Sequence, residues 1–89
     1  MREFSIEENL KRTLKKLSKK DISAYKALIG KIEEILTCAD VDHYKNLRNP
    51  LQDFKRVHIK GSFVLIFKYV RSDDKVTFYD YDHHDKIYK

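Results

Sequence analysis

The clearest pattern of apolar and polar positions lies in Phe54–Tyr69, FKRVHIKGSFVLIFKY. Val57 and Ile59 alternate with Arg56, His58 and Lys60, which predicts a strand with one apolar and one basic face. Phe63–Phe67 is apolar at every position, so it predicts a central strand covered on both sides. Gly61-Ser62 stands between the two runs and predicts a hairpin turn, because Gly accepts the positive φ that a tight turn needs. A second turn at Arg71–Asp74 leads into a third strand, Lys75–Asp82, where Val76, Phe78 and Asp80 alternate with Thr77, Tyr79 and Tyr81.

Upstream the period changes. Residues 2–6 alternate, with Phe4 and Ile6 on one side, as a short edge strand does. Ser5-x-x-Glu8 matches a capping box and places a helix start at Ser5 or within two residues. Ile6, Leu10, Leu14 and Leu17 then form a narrow stripe on a charged helix. Ser18–Asp21 interrupts it, and Asp21 is a cap for a second helix. Ile22, Tyr25, Leu28, Ile29, Ile32, Ile35 and Leu36 line one side of that helix, with Gly30 tolerated where the two helices approach. Thr37–Asp53 shows no period, and Asn49-Pro50 marks a turn. The order β-α-α-β-β-β predicts an α+β fold in a single domain, residues 1–89.

Composition narrows the function classes. The longest apolar run is five residues, against about 20 for a membrane span. MREFSIEENL has no apolar core of a secretory signal, and the one cysteine, Cys38, has no internal partner. These features predict a cytoplasmic protein without a membrane partner. Net charge is +5, and residues 1–70 carry fifteen Lys/Arg against nine Asp/Glu. Such a balance favours a polyanion, most simply nucleic acid, beside the plain alternative of a charged, soluble surface. Two cationic clusters stand out: six Lys/Arg with no acid from Lys11 to Lys20, and Lys45, Arg48, Lys55, Arg56 and Lys60.

His58, His83 and His84 lie in or beside the predicted meander. Two imidazoles near cations suit RNA cleavage: one takes the proton of the ribose 2′-OH and the other supplies the leaving 5′-oxygen. The 2′-OH is the nucleophile, so the reaction calls for no metal or cofactor and selects RNA over DNA. Lys or Arg stabilises charge on the phosphate, and Phe63, Tyr79, Tyr81 or Tyr88 offer stacking surfaces. The outer strands of the meander are about 10 Å apart. His84 therefore meets His58 only if the chain beyond Asp82 folds back across the sheet. His83 and His84, flanked by Asp80, Asp82 and Asp85, raise metal binding as an alternative. Consecutive residues of an extended chain point in opposite directions, however, and no spaced ligand motif is present.

Leu47-Arg48-Asn49, Phe54–Ile59, Val64–Phe67 and His84–Tyr88 together resemble the RelE/ParE toxin superfamily, and within it the YafQ-like mRNA interferases. The likeness covers residues 44–89; upstream only the order of elements agrees. It implies an N-terminal strand and helical hairpin packed on one face of a mainly antiparallel four-stranded sheet. It also implies a metal-independent endoribonuclease toxin that cleaves mRNA, often on the ribosome, and is neutralised by an antitoxin protein. By position, the resemblance implies catalytic roles for His58, His84 and Lys45. Arg48, Lys55, Arg56 and Lys60 would hold RNA phosphates, and Phe63 and Tyr88 would pack on bases. The chain departs from that branch at Ser62-Phe63, where Asp-Trp is usual, leaving Asp82 or Asp85 as substitute carboxylates. Two other readings stay open: a ParE-like toxin that inhibits DNA gyrase, and an RNA-binding domain without catalysis.

Overall fold

A computed structural model describes residues 1–48 and 52–87. The elements in order are β1 (Glu3–Ile6), α1 (Glu8–Lys20), α2 (Ile22–Thr37), β2 (Lys55–Ile59), β3 (Phe63–Val70), β4 (Lys75–His83) and α3 (His84–Ile87). Short 3-10 turns at Val41–His43 and Arg71–Asp73 join them. The four strands form one mixed sheet in the order β1-β4-β3-β2. β2, β3 and β4 are an antiparallel meander, and β1 lies parallel to β4 at the edge. The expected α+β architecture is the one observed.

Side chains sort by strand alternation. On β3, Leu65 and Phe67 point toward the helices and join Leu10, Leu28, Ile32, Ile35, Val76 and Phe78 in the main core. Val64 and Ile66 point the other way and are also buried, under Leu47, Phe54, Tyr79 and Ile87. The central strand is thus covered on both sides, and the second face carries a small core of its own. Ile87, partly buried against this small core, ties the short α3 to the sheet.

Asp21 caps α2, its Oδ1 accepting from the Ala24 amide at 3.1 Å. The capping box at Ser5 is not formed. Ser5 lies in β1, where its hydroxyl donates to Thr77 on the neighbouring strand, and α1 begins only at Glu8. The parallel pairing of β1 with β4 claims the residue that would otherwise cap. Gly30 is also not at a helix–helix contact: a Cβ built there meets nothing within 4 Å. Strict alternation fails in β4. A register shift opposite Ile66 and Phe67 inserts one residue near Tyr79, so Tyr81 turns into the main core beside Phe78. A bulge reverses facing by this mechanism.

The aperiodic stretch after α2 is held by side chains. Val41, Tyr44 and Leu47 are buried, and Tyr44 donates its hydroxyl to Glu34. That hydrogen bond holds the Glu34 carboxyl below its usual range, and desolvation with the Glu34 charge raises the Tyr44 phenol well above its own. Arg2 reaches the C-terminal end of α2, donating to the carbonyls of Ile35, Leu36, Cys38 and Ala39, while its Nε pairs with Asp74 at 2.9 Å. A guanidinium at this position satisfies carbonyls that the helix leaves without partners.

Candidate functional site

The candidate site lies at the end of the sheet where the β2–β3 hairpin turns and β4 stops. Three residues, Lys60-Gly61-Ser62, make the turn, with φ of 51° at Lys60 and 78° at Gly61. His58 pairs with Val64 and Val64 with Asp82, so the three stand in one row across the sheet. His58 shares the face of Val64, away from the helical hairpin. It is exposed and makes no hydrogen bond among the described residues.

His84 reaches the same end from the other side. The strand stops at His83 and the next residue starts a helical turn, which bends the chain toward the hairpin. The His84 amide donates to the Ser62 carbonyl at 2.8 Å, and the ring Nδ1 stands 3.1 Å from the same oxygen. A carbonyl only accepts, so Nδ1 carries a hydrogen. The other nitrogen, Nε2, lies 2.9 Å from Asp85 Oδ1. Both ring nitrogens therefore face acceptors, an arrangement that the doubly protonated ring satisfies. The fold-back required for His84 to approach His58 is present, anchored by Ile87 on the Val64–Ile66 patch.

Of the two candidate substitutes for the family carboxylate, Asp85 is the one beside His84. Asp82 is occupied locally, accepting from the His83 amide at 2.8 Å and lying 4.0 Å from Lys86 Nζ. The Ser62 main chain, rather than its side chain, orients His84.

The cations divide between the two faces. Residues 45–47 run along the free edge of β2: the Lys45 carbonyl accepts from the Arg56 amide, and Asn46 bridges to Lys55. Leu47 packs on the face of Val64, so alternation places Lys45 there as well, with Arg56. Arg48 is exposed just beyond. Lys68, two residues past Ile66 on β3, joins them; it escaped the sequence reading because it follows an apolar run that looks wholly internal.

Three expectations are corrected. Lys55 does not face RNA: it is 6% exposed on the helix side, donating to the Tyr44 carbonyl (3.2 Å) and Asn46 Oδ1 (3.0 Å), with Asp42 at 3.5 Å. Its register opposite Phe67 turns it inward. Lys60 leans on the helical hairpin, with its ammonium on the Ser23 hydroxyl. Phe63 pairs with Ile59 and so shares the helix side; its ring stacks on Tyr81 at 5.1 Å and meets His83 edge-on. With Leu17 and Lys60, Phe63 and Tyr81 line a groove of about 370 Å³ on that side. Tyr88 lies outside the described residues. The aromatic surface that does share the face of His58 is Tyr79, packed edge-on against Phe54.

His83 and His84 also depart from expectation. Their rings lie side by side, 4.8 Å apart and tilted by 25°, because the change from strand to helix between them removes the opposed directions of an extended chain. Asp85 faces both rings: Oδ1 toward His84 and Oδ2 toward His83 Nδ1, at 3.5 Å.

A mixed β1-β4-β3-β2 sheet backed by a helical hairpin is the fold of the RelE-like toxins. No protein-family model matches the sequence. The toxin candidate RelE4 of Methanocaldococcus jannaschii is 52% identical over 89 residues, spanning all of this chain and 93% of its own. The chain belongs to the RelE toxin family. Solved structures with the same fold include a metal-bound toxin from Helicobacter pylori (TM-score 0.76, 20% identity, 98% of this chain and 99% of that one). The intact E. coli RelBE toxin–antitoxin complex gives a TM-score of 0.69 at 14% identity over 93% of this chain and 96% of its partner in the comparison. YafQ from E. coli strain BL21(DE3) gives 0.66 at 17% identity over the whole of both chains.

Proposed function

We propose that this protein is the toxin of a toxin–antitoxin pair and an endoribonuclease that cleaves mRNA, in association with the ribosome. The observation that carries the reading is an exposed His58, without a hydrogen bond among the described residues, at the same end of the sheet as a His84 held by the Ser62 carbonyl. In this mechanism His58 takes the proton from the ribose 2′-OH, the alkoxide attacks the adjacent phosphorus, and the bond to the 5′-oxygen breaks. His84, with a hydrogen on each ring nitrogen, delivers one from Nε2 to that leaving oxygen, and Asp85 holds the ring for the transfer. Lys45 and Arg56 supply positive charge to the phosphate as it gains charge, Arg48 positions the backbone, and Tyr79 offers a ring to a base. The partner that restrains this activity is a cognate antitoxin, in keeping with the RelBE complex of the same fold.

The test is induction in cells of wild type, His58→Gln and His84→Gln, with mRNA 5′ ends mapped. Each variant is expected to lose 10²–10⁴-fold in cleavage, the usual contribution of a positioned acid or base. Growth arrest with intact mRNA would overturn the nuclease reading in favour of a gyrase-directed toxin. No arrest, with salt-sensitive RNA binding, would leave a binding domain without catalysis.

A further inference from the structure

The strand-to-helix junction that delivers His84 also sets beside it His83, a donor that the RNA-cleaving mechanism does not use. His83, His84 and Asp85 each offer one ligand atom, all within 4.8 Å of one another. Four ligands at 2.0–2.1 Å around a tetrahedral ion stand about 3.3 Å apart. Asp85 stands 2.9 Å from His84 Nε2 through Oδ1 and 3.5 Å from His83 Nδ1 through Oδ2, on either side of that value. Both rings are partly exposed side chains at the surface.

A second observation points the same way. Nδ1 of His84 is committed to the Ser62 carbonyl, which leaves Nε2 as the atom turned toward the carboxylate. A main-chain carbonyl on the far nitrogen is the support that fixes the ring of a metal-bound histidine. His83 is braced too, with the Phe63 ring edge-on at 5.6 Å. Its Nδ1 accepts only a long bond, 3.3 Å, from the Asp85 amide. Lys86 is drawn toward Asp82, with 4.0 Å between Nζ and Oδ1.

We propose that His83, His84 and Asp85 form a binding site for a borderline divalent cation such as Zn²⁺, and that the bound ion stops RNA cleavage by taking the Nε2 atom of His84. Two imidazoles with one carboxylate select Zn²⁺, Cu²⁺ or Ni²⁺ over Mg²⁺ or Ca²⁺, which prefer oxygen ligands. The ion is an inhibitor: it occupies the position from which the proton leaves. The site itself rests on the three side chains, and the inhibition rests on the nuclease reading above.

Zn²⁺ titration of the purified chain by calorimetry, with histidine ring resonances followed by NMR, tests the site. One ion per chain is expected, with shifts at His83 and His84 and none at His43 or His58. His83→Gln, checked to melt like wild type, is expected to bind Zn²⁺ at least tenfold more weakly while cleaving RNA at the wild-type rate. The Zn²⁺ concentration that halves cleavage should rise by the same factor, and EDTA should restore the wild type. Equal affinity in wild type and His83→Gln, or shifts centred on His43 or His58, would overturn the site. Full cleavage by wild type with the site saturated would overturn the inhibition. A wild type that binds Zn²⁺ through His83 but never cleaves RNA would support the site and refute the nuclease reading instead.

Discussion

Replacing Lys55 separates a structural cation from an RNA-binding one. Its ammonium is buried among three acceptors: the Tyr44 carbonyl at 3.2 Å, Asn46 Oδ1 at 3.0 Å and Asp42 Oδ1 at 3.5 Å. Lys55→Met keeps the stem packed and removes the charge. The Tyr44 carbonyl then loses its donor, at about 1–3 kcal/mol for an acceptor left buried and unpaired. Asn46 is exposed and turns to water, and Asp42 keeps Arg71 as a second partner, so both add little. A loss of about 2 kcal/mol follows. For 89 residues at about 2.1 cal/mol/K each, the unfolding entropy is about 0.19 kcal/mol/K, so the melting temperature falls by about 10 °C. Calorimetric melting measures this directly. Below the lowered transition, RNA binding should keep the wild-type slope against salt, whereas Arg56→Gln should reduce that slope by about one phosphate contact. A Lys55→Met protein that melts like wild type but has lost RNA affinity would refute the assignment and return Lys55 to the binding surface.

Gly30→Ala should raise stability by about 1 kcal/mol, since the helix interior gains the better former and the new methyl meets no atom; an unchanged denaturant midpoint would contradict this. Arg2→Met should cost about 2 kcal/mol by uncapping α2 and freeing Asp74, measured by urea unfolding. Tyr44→Phe should cost about 1 kcal/mol near neutral pH. Because the Tyr44 hydrogen bond depresses the Glu34 carboxyl, that contribution is present above the ordinary Glu range near pH 4.5 and is lost as pH falls through the lower folded value. The stability curves of Tyr44→Phe and wild type should therefore converge toward acid pH; parallel curves would show that Glu34 is not the partner.

What the sequence revealed and what it hid follow from periodicity. Alternation in Arg56–Lys60 assigns His58 and Arg56 to one face correctly, because neighbours in a strand must face opposite ways. The same rule, extended one residue back, puts Lys55 with Val57 on the inner face. Lys55 reads as an RNA contact only because its three acceptors lie in the aperiodic stretch before β2. The turn of Tyr81 into the core escaped notice because one inserted residue leaves composition unchanged while reversing every later facing. Phe63 is misread for a related reason: a residue at the end of an all-apolar run has no polar neighbour to declare its side. At the site, the need for the chain to fold back beyond Asp82 was legible. The companionship of His83 and His84 was not, because it depends on a strand ending between them.

The parallel seat of β1 beside β4 has a consequence for synthesis. Phe4 stands opposite Val76 and Ile6 opposite Phe78, so the first strand made must wait for the last. Until β4 leaves the ribosome, β1 has no neighbour, Leu10 has no Phe78 beside it, and the turn bearing His84 does not exist. A nascent chain cut short before residue 75 therefore lacks both its closing strand and half of its histidine pair. A chain made in this order holds its full sheet and its full candidate site only once its last elements are made. The same non-local pairing makes folding slow relative to a helical bundle of equal length, leaving an interval after synthesis in which an antitoxin can meet the chain before it is competent.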